Sequence, residues 1–422
     1  MSIYLFQWES EVKRIFLLST ALLAACAAPA PGTGAASPAA APGPLKLEKV
    51  VMLMRHGIRP PTKAAVVPPG YSDERWPDWP VDYGLLTPRG GAGARLLGES
   101  DRFWFGDRGL FPDGCPAAGT IVLKASYKQR TIDTARNWAA GFMPGCAADV
   151  AHPAGADDDA IFHGLDGAPP SFDGKRAYDA SLAEAPEGGL AADTERHRGE
   201  LTLLAKVLNC AVPACPLVAE PSRLIAQPHD RPDLEGPLDV GSTASQTLLL
   251  EYLEGMPMEQ VGWGRVSRAE IEQLLRFHPL KFRYANRPGY IAAAAAAPIV
   301  GEIVAALGDT SPARLTLLAG HDTNVADLGG FFDLHWQVPS YPADEVPPGS
   351  ALGFELVSNA KGERYVRAFY RGQTMDQLRN LEPLGRGDAL FRRYLPIPGC
   401  GNSAEATACT WTAFTRLAAP RG

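Results

Sequence analysis

The residues best suited to chemistry lie together in Arg55-His56-Gly57-Ile58-Arg59-Pro60-Pro61-Thr62-Lys63. Two arginines placed one residue before and three after a histidine repel each other unless an anion lies between them. A phosphate group satisfies them, because the guanidinium fork donates paired hydrogen bonds to its oxygens. Gly57 lets the backbone come close, and the prolines hold the turn open. Between such charges His56 is disfavoured as an imidazolium, so a neutral nitrogen stays available as a nucleophile in mild acid. The tripeptide Arg-His-Gly alone is equally suited to a surface loop; the longer pattern at the end of a strand carries the reading.

Phosphoryl transfer to nitrogen leaves an alkoxide that needs a proton, and a carboxylic acid is a suitable donor at low pH. The first segment contains none. A second segment, Gly320-His321-Asp322-Thr323-Asn324, follows the apolar run Leu315-Thr316-Leu317-Leu318-Ala319. Taken alone it reads as the start of a helix, since Asp and Thr cap well.

The elements that must position these residues are strands. Leu45 to Met54 alternates and then becomes continuously apolar, as a strand does when it enters a sheet covered on both faces. The polar, Pro-rich segment after it then falls at the carboxyl end of the sheet, where open α/β folds bind ligands. The apolar run before Asp322 puts that residue at the same edge.

With these two motifs the chain resembles the histidine acid phosphatases, in particular the bacterial periplasmic phytases and glucose-1-phosphatases, over roughly residues 45 to 420. The resemblance implies that His56 forms a phosphohistidine, that Arg55 and Arg59 hold the phosphate, and that Asp322 protonates the leaving group. It assigns His321 to the phosphate as well. The family's third arginine follows a strand and opens a helix, and Arg130 in Gln129-Arg130-Thr131 matches it. Thr62 and Lys63 resemble the phytase branch, and Met256, in Met256-Pro257-Met258-Glu259, resembles a segment lining the specificity pocket. No metal or other cofactor is implied.

The resemblance implies an α/β fold, a mixed, mainly parallel sheet with helices on both faces like that of phosphoglycerate mutase plus an inserted, mostly α-helical domain, and the wider chain fits it. Thr87 is placed as an N-cap with Pro88 at the first helical position. Residues 147–300 read as the helical insertion, with Ser242 opening a helix through Leu253 and Ser267-Arg268-Ala269-Glu270 as a capping box. Alternation returns from Leu352 to Phe369, so residues 45–146 and 301–422 are expected to form one discontinuous domain.

Composition sets the class and the compartment. The chain has 422 residues, 46% apolar and 21% charged, and a net charge of −7, which suits a folded protein and argues against a nucleic-acid partner. Lys13-Arg14 precede an apolar run, Ile15 to Leu23, that is too short to span a bilayer. It ends in Leu23-Ala24-Ala25-Cys26, which resembles a bacterial lipobox, so residues 1–26 read as a lipoprotein signal peptide and Cys26 as the lipidated residue. Residues 27–44 are only Ala, Pro, Gly, Ser and Thr, a tether reaching on the order of 50 Å. The remaining cysteines, Cys115, Cys146, Cys210, Cys215, Cys400 and Cys409, form an even set suited to oxidised export. Nearest neighbours would pair as 115–146, 210–215 and 400–409, one of fifteen connectivities; these pairs fall where the resembled bacterial branch has disulfides.

The expected protein is therefore a monomeric acid phosphomonoesterase, lipid-anchored in the periplasm or cell envelope. It acts on small phosphorylated substrates, with phytate favoured, and glucose 1-phosphate or a broad range of monoesters as alternatives. A polyphosphate needs cations beyond the three arginines, yet Ala292 to Ala297 is an alanine run where another arginine would be sought. A phosphoglycerate-mutase-like enzyme shares the Arg-His-Gly core but not the export signals. A non-catalytic lipoprotein that binds phosphorylated ligands would lack a catalytic residue, and none is missing. Asp157-Asp158-Asp159 lacks the spacing of a calcium loop and reads as solvated. His152, His163, His197 and His335 are left unassigned.

Overall fold

The computed structural model describes residues 45–165, 171–387, 389–400 and 407–420. The signal segment with Cys26 and the tether lie outside the described residues. The strands are β1 (Lys46–Arg55), β2 (Ile121–Ala125), β3 (Val150–Ala151), β4 (Arg223–Ile225), β5 (Asp233–Glu235), β6 (Leu315–Gly320), β7 (Ala351–Ser358), β8 (Arg364–Gly372), β9 (Phe391–Leu395) and β10 (Ala408–Thr410). Strands β4 and β5 form a separate hairpin; the others make one sheet in the order β10-β8-β7-β1-β6-β2-β3, with β9 also paired to β8. The expected mixed α/β sheet is present. Strands β1, β6, β2 and β3 run parallel, whereas β7, β8, β9 and β10 pair antiparallel.

The unbroken apolar run of β1 follows from cover on both faces. Val50, Met52 and Met54 face one core with Leu97, Trp138 and Phe142, while Val51 and Leu53 face another with Leu318, Val325 and Phe354. Parallel register pairs Met54 with Ala319 and Arg55 with Gly320, and Ala125 also pairs with Ala319. The ends of β1, β2 and β6 therefore release His56, Ser126 and His321 at one edge.

The helices are α1 (Pro88–Gly106), α2 (Gln129–Phe142), α3 (Gly174–Ala183), α4 (Gly189–Arg196), α5 (Arg198–Val207), α6 (Pro216–Ala219), α7 (Pro237–Leu253), α8 (Arg268–Leu274), α9 (Phe277–Ala285), α10 (Gly289–Leu307), α11 (Asp322–Phe332), α12 (Met375–Asn380) and α13 (Trp411–Leu417). The predicted cap of α1 is in place: Thr87 Oγ1 accepts from Gly90 N at 2.9 Å with Pro88 at the first position. The Ser267 capping box of α8 is also present. Helix α7 starts five residues earlier than Ser242, because Gly236 turns the chain at φ 90° and Pro237 supplies the first helical φ. Ser242 is instead an interior residue of that helix.

Helices α1 and α2 cross in close contact. A Cβ on Gly98 would lie 2.0 Å from the Trp138 carbonyl oxygen, and one on Gly141 would lie 2.0 Å from that of Arg95. Only glycine lets the two backbones approach so far. Among the described residues between β3 and β6 the regular elements are helices apart from the β4–β5 hairpin, and the chain returns to the sheet through α10, which packs against α11 and β1. Disulfides join Cys115 to Cys146, Cys210 to Cys215 and Cys400 to Cys409.

Candidate active site

Edge geometry places the first motif. The His56 backbone N–H donates to Gly320 O at 3.0 Å, which ties the end of β1 to the end of β6. The imidazole is 1% exposed, and its Nδ1 lies 2.8 Å from Gly57 O. A carbonyl can only accept, so Nδ1 carries the proton and Nε2 keeps its lone pair. Nε2 has no hydrogen-bond partner among the described residues. Burial, then the charges of Arg130, Arg59 and Arg55, hold His56 well below its usual pKa. It is a neutral imidazole with one nitrogen open.

Three guanidinium groups surround it. Arg55 is fully buried; its Nη2 reaches Gln246 Oε1 at 3.0 Å and Asp322 Oδ2 at 2.8 Å, and its Nη1 donates to Val346 O. Arg59 donates from Nη1 to Pro60 O at 2.8 Å. Burial and the nearby Arg130 push Arg59 down to about 9, so it remains a cation in acid and at neutral pH. Arg130, at the start of α2, spans from Gly84 O to His321 Nδ1, each at 3.5 Å. The Nε–H of all three arginines is buried without a partner among the described residues. Buried donors left open in this way mark a place for an acceptor, and three cations mark it for an anion.

His321 and Asp322 arrive where β6 meets α11. His321 N–H donates to Asn324 Oδ1 at 2.9 Å, so the segment is a helix start and also part of the site. Burial and then Arg130 push His321 down to about 3, against the opposing pull of Asp322. The rings of His56 and His321 lie 5.7 Å apart, centroid to centroid. For Asp322, burial works to raise the pKa, but Arg55, His278, His56 and Arg59 outweigh it and hold the carboxyl well below the usual range. The resting side chain is a carboxylate.

A cavity of about 250 Å³ is lined by Arg55, Arg59 and Asp322 of this group. Thr62 and Lys63, the predicted substrate contacts, are exposed and line it, as do Ser242, Thr243, Gln246 and Thr247 of α7 and His278 and Lys281 of α9. Met256 is not among the lining residues. It is buried in the core, and its carbonyl accepts from Arg379 Nη2 at 2.9 Å. A second cavity, of about 580 Å³, shares Lys281 and Thr323 with the first and includes His321. Lys281 is held by Asp239 at 2.6 Å.

Several contributors were missed in the sequence. Glu345 is buried; it accepts from Gln246 Nε2 at 3.0 Å and lies 2.8 Å from His278 Nδ1. His278 Nε2 is 3.8 Å from Asp322 Oδ2. The available signal was the set of polar residues at 242, 243, 246 and 247 ahead of the apolar run Leu248-Leu249-Leu250 in α7; Glu345, in a loop, offered none. The solvated reading of the Asp triplet holds for the exposed Asp157 and Asp158 but not for Asp159, which is 2% exposed. Asp159 Oδ2 accepts from Ser126 Oγ at 2.7 Å and from Tyr127 N at 3.1 Å, and these bonds draw it inside.

The sequence profile of the histidine phosphatase superfamily (branch 2) matches residues 46–169. Over 400 residues the chain is 33% identical to phytase AppA of Escherichia coli (strain K12), covering 88% of this chain and 91% of that protein. It is 28% identical over 387 residues to glucose-1-phosphatase of Providencia rettgeri, with the same coverages. The solved structure of Hafnia alvei phytase in complex with myo-inositol hexakis sulphate matches with a TM-score of 0.82 and 30% identity, over 90% of this chain and 97% of that one. Extended identity and shared fold together show that this chain belongs to the histidine phosphatase superfamily, branch 2.

Proposed function

We propose that this protein is an acid phosphomonoesterase of the phytase type, working through a phosphohistidine at His56. The observation that carries the reading is the neutral His56, with Nε2 open among three arginines whose Nε–H groups await an acceptor. In the first step Nε2 attacks phosphorus and the ester P–O bond breaks, while Arg55, Arg59, Arg130 and His321 hold the other phosphoryl oxygens. The departing oxygen takes a proton from Asp322. In the second step the Asp322 carboxylate accepts a proton from water as that water attacks phosphorus, which releases phosphate and restores His56.

Asp322 must gain its proton before the first step. An arriving phosphate competes for Arg55 and brings negative charge beside the carboxylate, and both effects raise its proton affinity. Acid pH supplies the proton.

Phytate is the substrate favoured by the phytase relatives and by the cations Lys63 and Lys281, which line the cavity in addition to Arg55 and Arg59. A panel of phytate, glucose 1-phosphate and p-nitrophenyl phosphate, compared by kcat/KM, tests it. A preference for glucose 1-phosphate reassigns the substrate. Failure of the wild type to trap acid-labile, base-stable phosphate, or normal trapping in His56→Ala, removes the covalent mechanism. We further propose that residues 147–300 act as an inserted helical domain and that the mature chain is tethered through Cys26 in the cell envelope, consistent with its three disulfides.

A further inference from the structure

Asp159 is a buried carboxylate that the proposed cycle does not use. It lies behind His321 rather than behind the nucleophile, and Ser126 stands between them. Ser126 Oγ donates to Asp159 Oδ2 at 2.7 Å and lies 3.2 Å from His321 Nε2. A hydroxyl has one proton. With that proton committed to the carboxylate, Oγ can only accept from His321, so Nε2 carries the hydrogen. Nδ1 is then a lone pair, and it faces Arg130 Nη2 at 3.5 Å, a group that can only donate. The two contacts require the same tautomer.

We infer that Asp159 and Ser126 are positioning residues that fix the protonated nitrogen of His321, so that the site takes phosphate together with one proton. This rests on the phosphate-binding role proposed for His321. With Nδ1 as an acceptor, the ring cannot donate to a dianionic phosphate oxygen. The contact needs a hydrogen between Nδ1 and oxygen, brought either as P–O–H or as a proton gained by the ring. The ligand class selected is the phosphate or phosphate-ester monoanion, the form that prevails in acid. Other charged or titratable groups acting on His321 are Arg130, Asp322, His163 and Arg59. The rings of His163 and His56 lie 5.9 and 5.7 Å from that of His321, and His163 Nε2 also lies 3.5 Å from Ser126 Oγ and 3.6 Å from Asp159 Oδ2; these are longer than the 2.7 Å bond that commits the Ser126 proton to Asp159.

The test is calorimetric titration with inorganic phosphate at pH 7.5, in buffers of differing ionisation enthalpy, on the full chain. All variants carry Asp322→Asn to remove that residue's own proton uptake. The parent is expected to take up about one proton per phosphate bound. Ser126→Ala frees Nε2, and Asp159→Ala lets Ser126 turn its hydrogen toward His321; in both, Nδ1 can hold the hydrogen beforehand, and uptake falls by about half or more. Asp159→Asn keeps an accepting oxygen and retains the parental uptake. Unchanged uptake in Ser126→Ala and Asp159→Ala would overturn the inference. Absence of saturable phosphate binding by the parent and wild type would instead remove the reading of the site as a phosphate centre.

Discussion

Arg55 Nη2 lies 2.8 Å from Asp322 Oδ2, so the proposed acid rests as one half of an ion pair inside the site it serves. Under the proposed mechanism this pairing makes the acid's readiness depend on the substrate, because the arriving phosphate competes for the cation that keeps the proton away.

Leaving-group chemistry isolates this residue. Asp322→Asn is expected to slow single-turnover phosphorylation by phytate or an alkyl phosphate roughly 10²–10⁴-fold, while p-nitrophenyl phosphate, whose phenolate departs without help, is largely spared. Arg59→Ala should depress both, since it acts on the transferred group. Equal losses on both substrates in Asp322→Asn would show that this residue holds phosphate or supports the fold.

The buried histidine sets a pH dependence of stability. His321 is pushed down from 6.5 to about 3 in the folded chain. Between those values the unfolded chain binds the extra proton, so stability falls as pH drops from 6.5 towards 3. His321→Gln removes this penalty. Relative to wild type, its urea stability should improve by on the order of 3 kcal/mol on going from pH 7 to pH 4. Parallel pH profiles would show that the ring is not held neutral.

The two lysines lining the cavity should discriminate by substrate charge. Lys63→Gln and Lys281→Gln together are expected to raise KM for phytate several-fold and to leave KM for p-nitrophenyl phosphate within about twofold, because only the larger anion reaches beyond the three arginines. Steady-state kinetics at low ionic strength checks this. An equal rise for both would place the lysines in the fold rather than in recognition.

The N-terminal assignment has its own test. Expressed in a Gram-negative host, the full chain should partition into membranes and incorporate labelled palmitate, and Cys26→Ser should do neither. Recovery of all the wild type as soluble protein after lysis would exclude the anchor.

Much of the site was legible because strand ends are legible. Val50–Met54 is apolar throughout and Leu315–Ala319 apolar but for Thr316, and each stops at a chemically loaded segment, so their parallel pairing brought His56 and Asp322 to one edge. Arg130 needed the family resemblance, since nothing local separates it from any arginine in a first helical turn. Glu345, His278 and Asp159 stayed hidden for another reason. Each is a loop residue or a lone polar group whose partner is distant in sequence: Glu345 meets Gln246 across 99 positions, and Asp159 meets Ser126 across 33. Hydrogen bonds of that range leave no period to read. The start of α7 was misplaced because Ser242 is a good cap, while Gly236-Pro237 is a stronger one for backbone reasons.

The glycine crossing of α1 and α2 gives the phosphate grip an unexpected dependence. Arg130 stands at one end of α2, and the helix is pressed into place near its other end, where Gly98 and Gly141 leave no room for a methyl group. With Arg130 in its proposed role, a Cβ at Gly98 or Gly141 would shift α2 and so disturb the hold on phosphate from the opposite end of the helix.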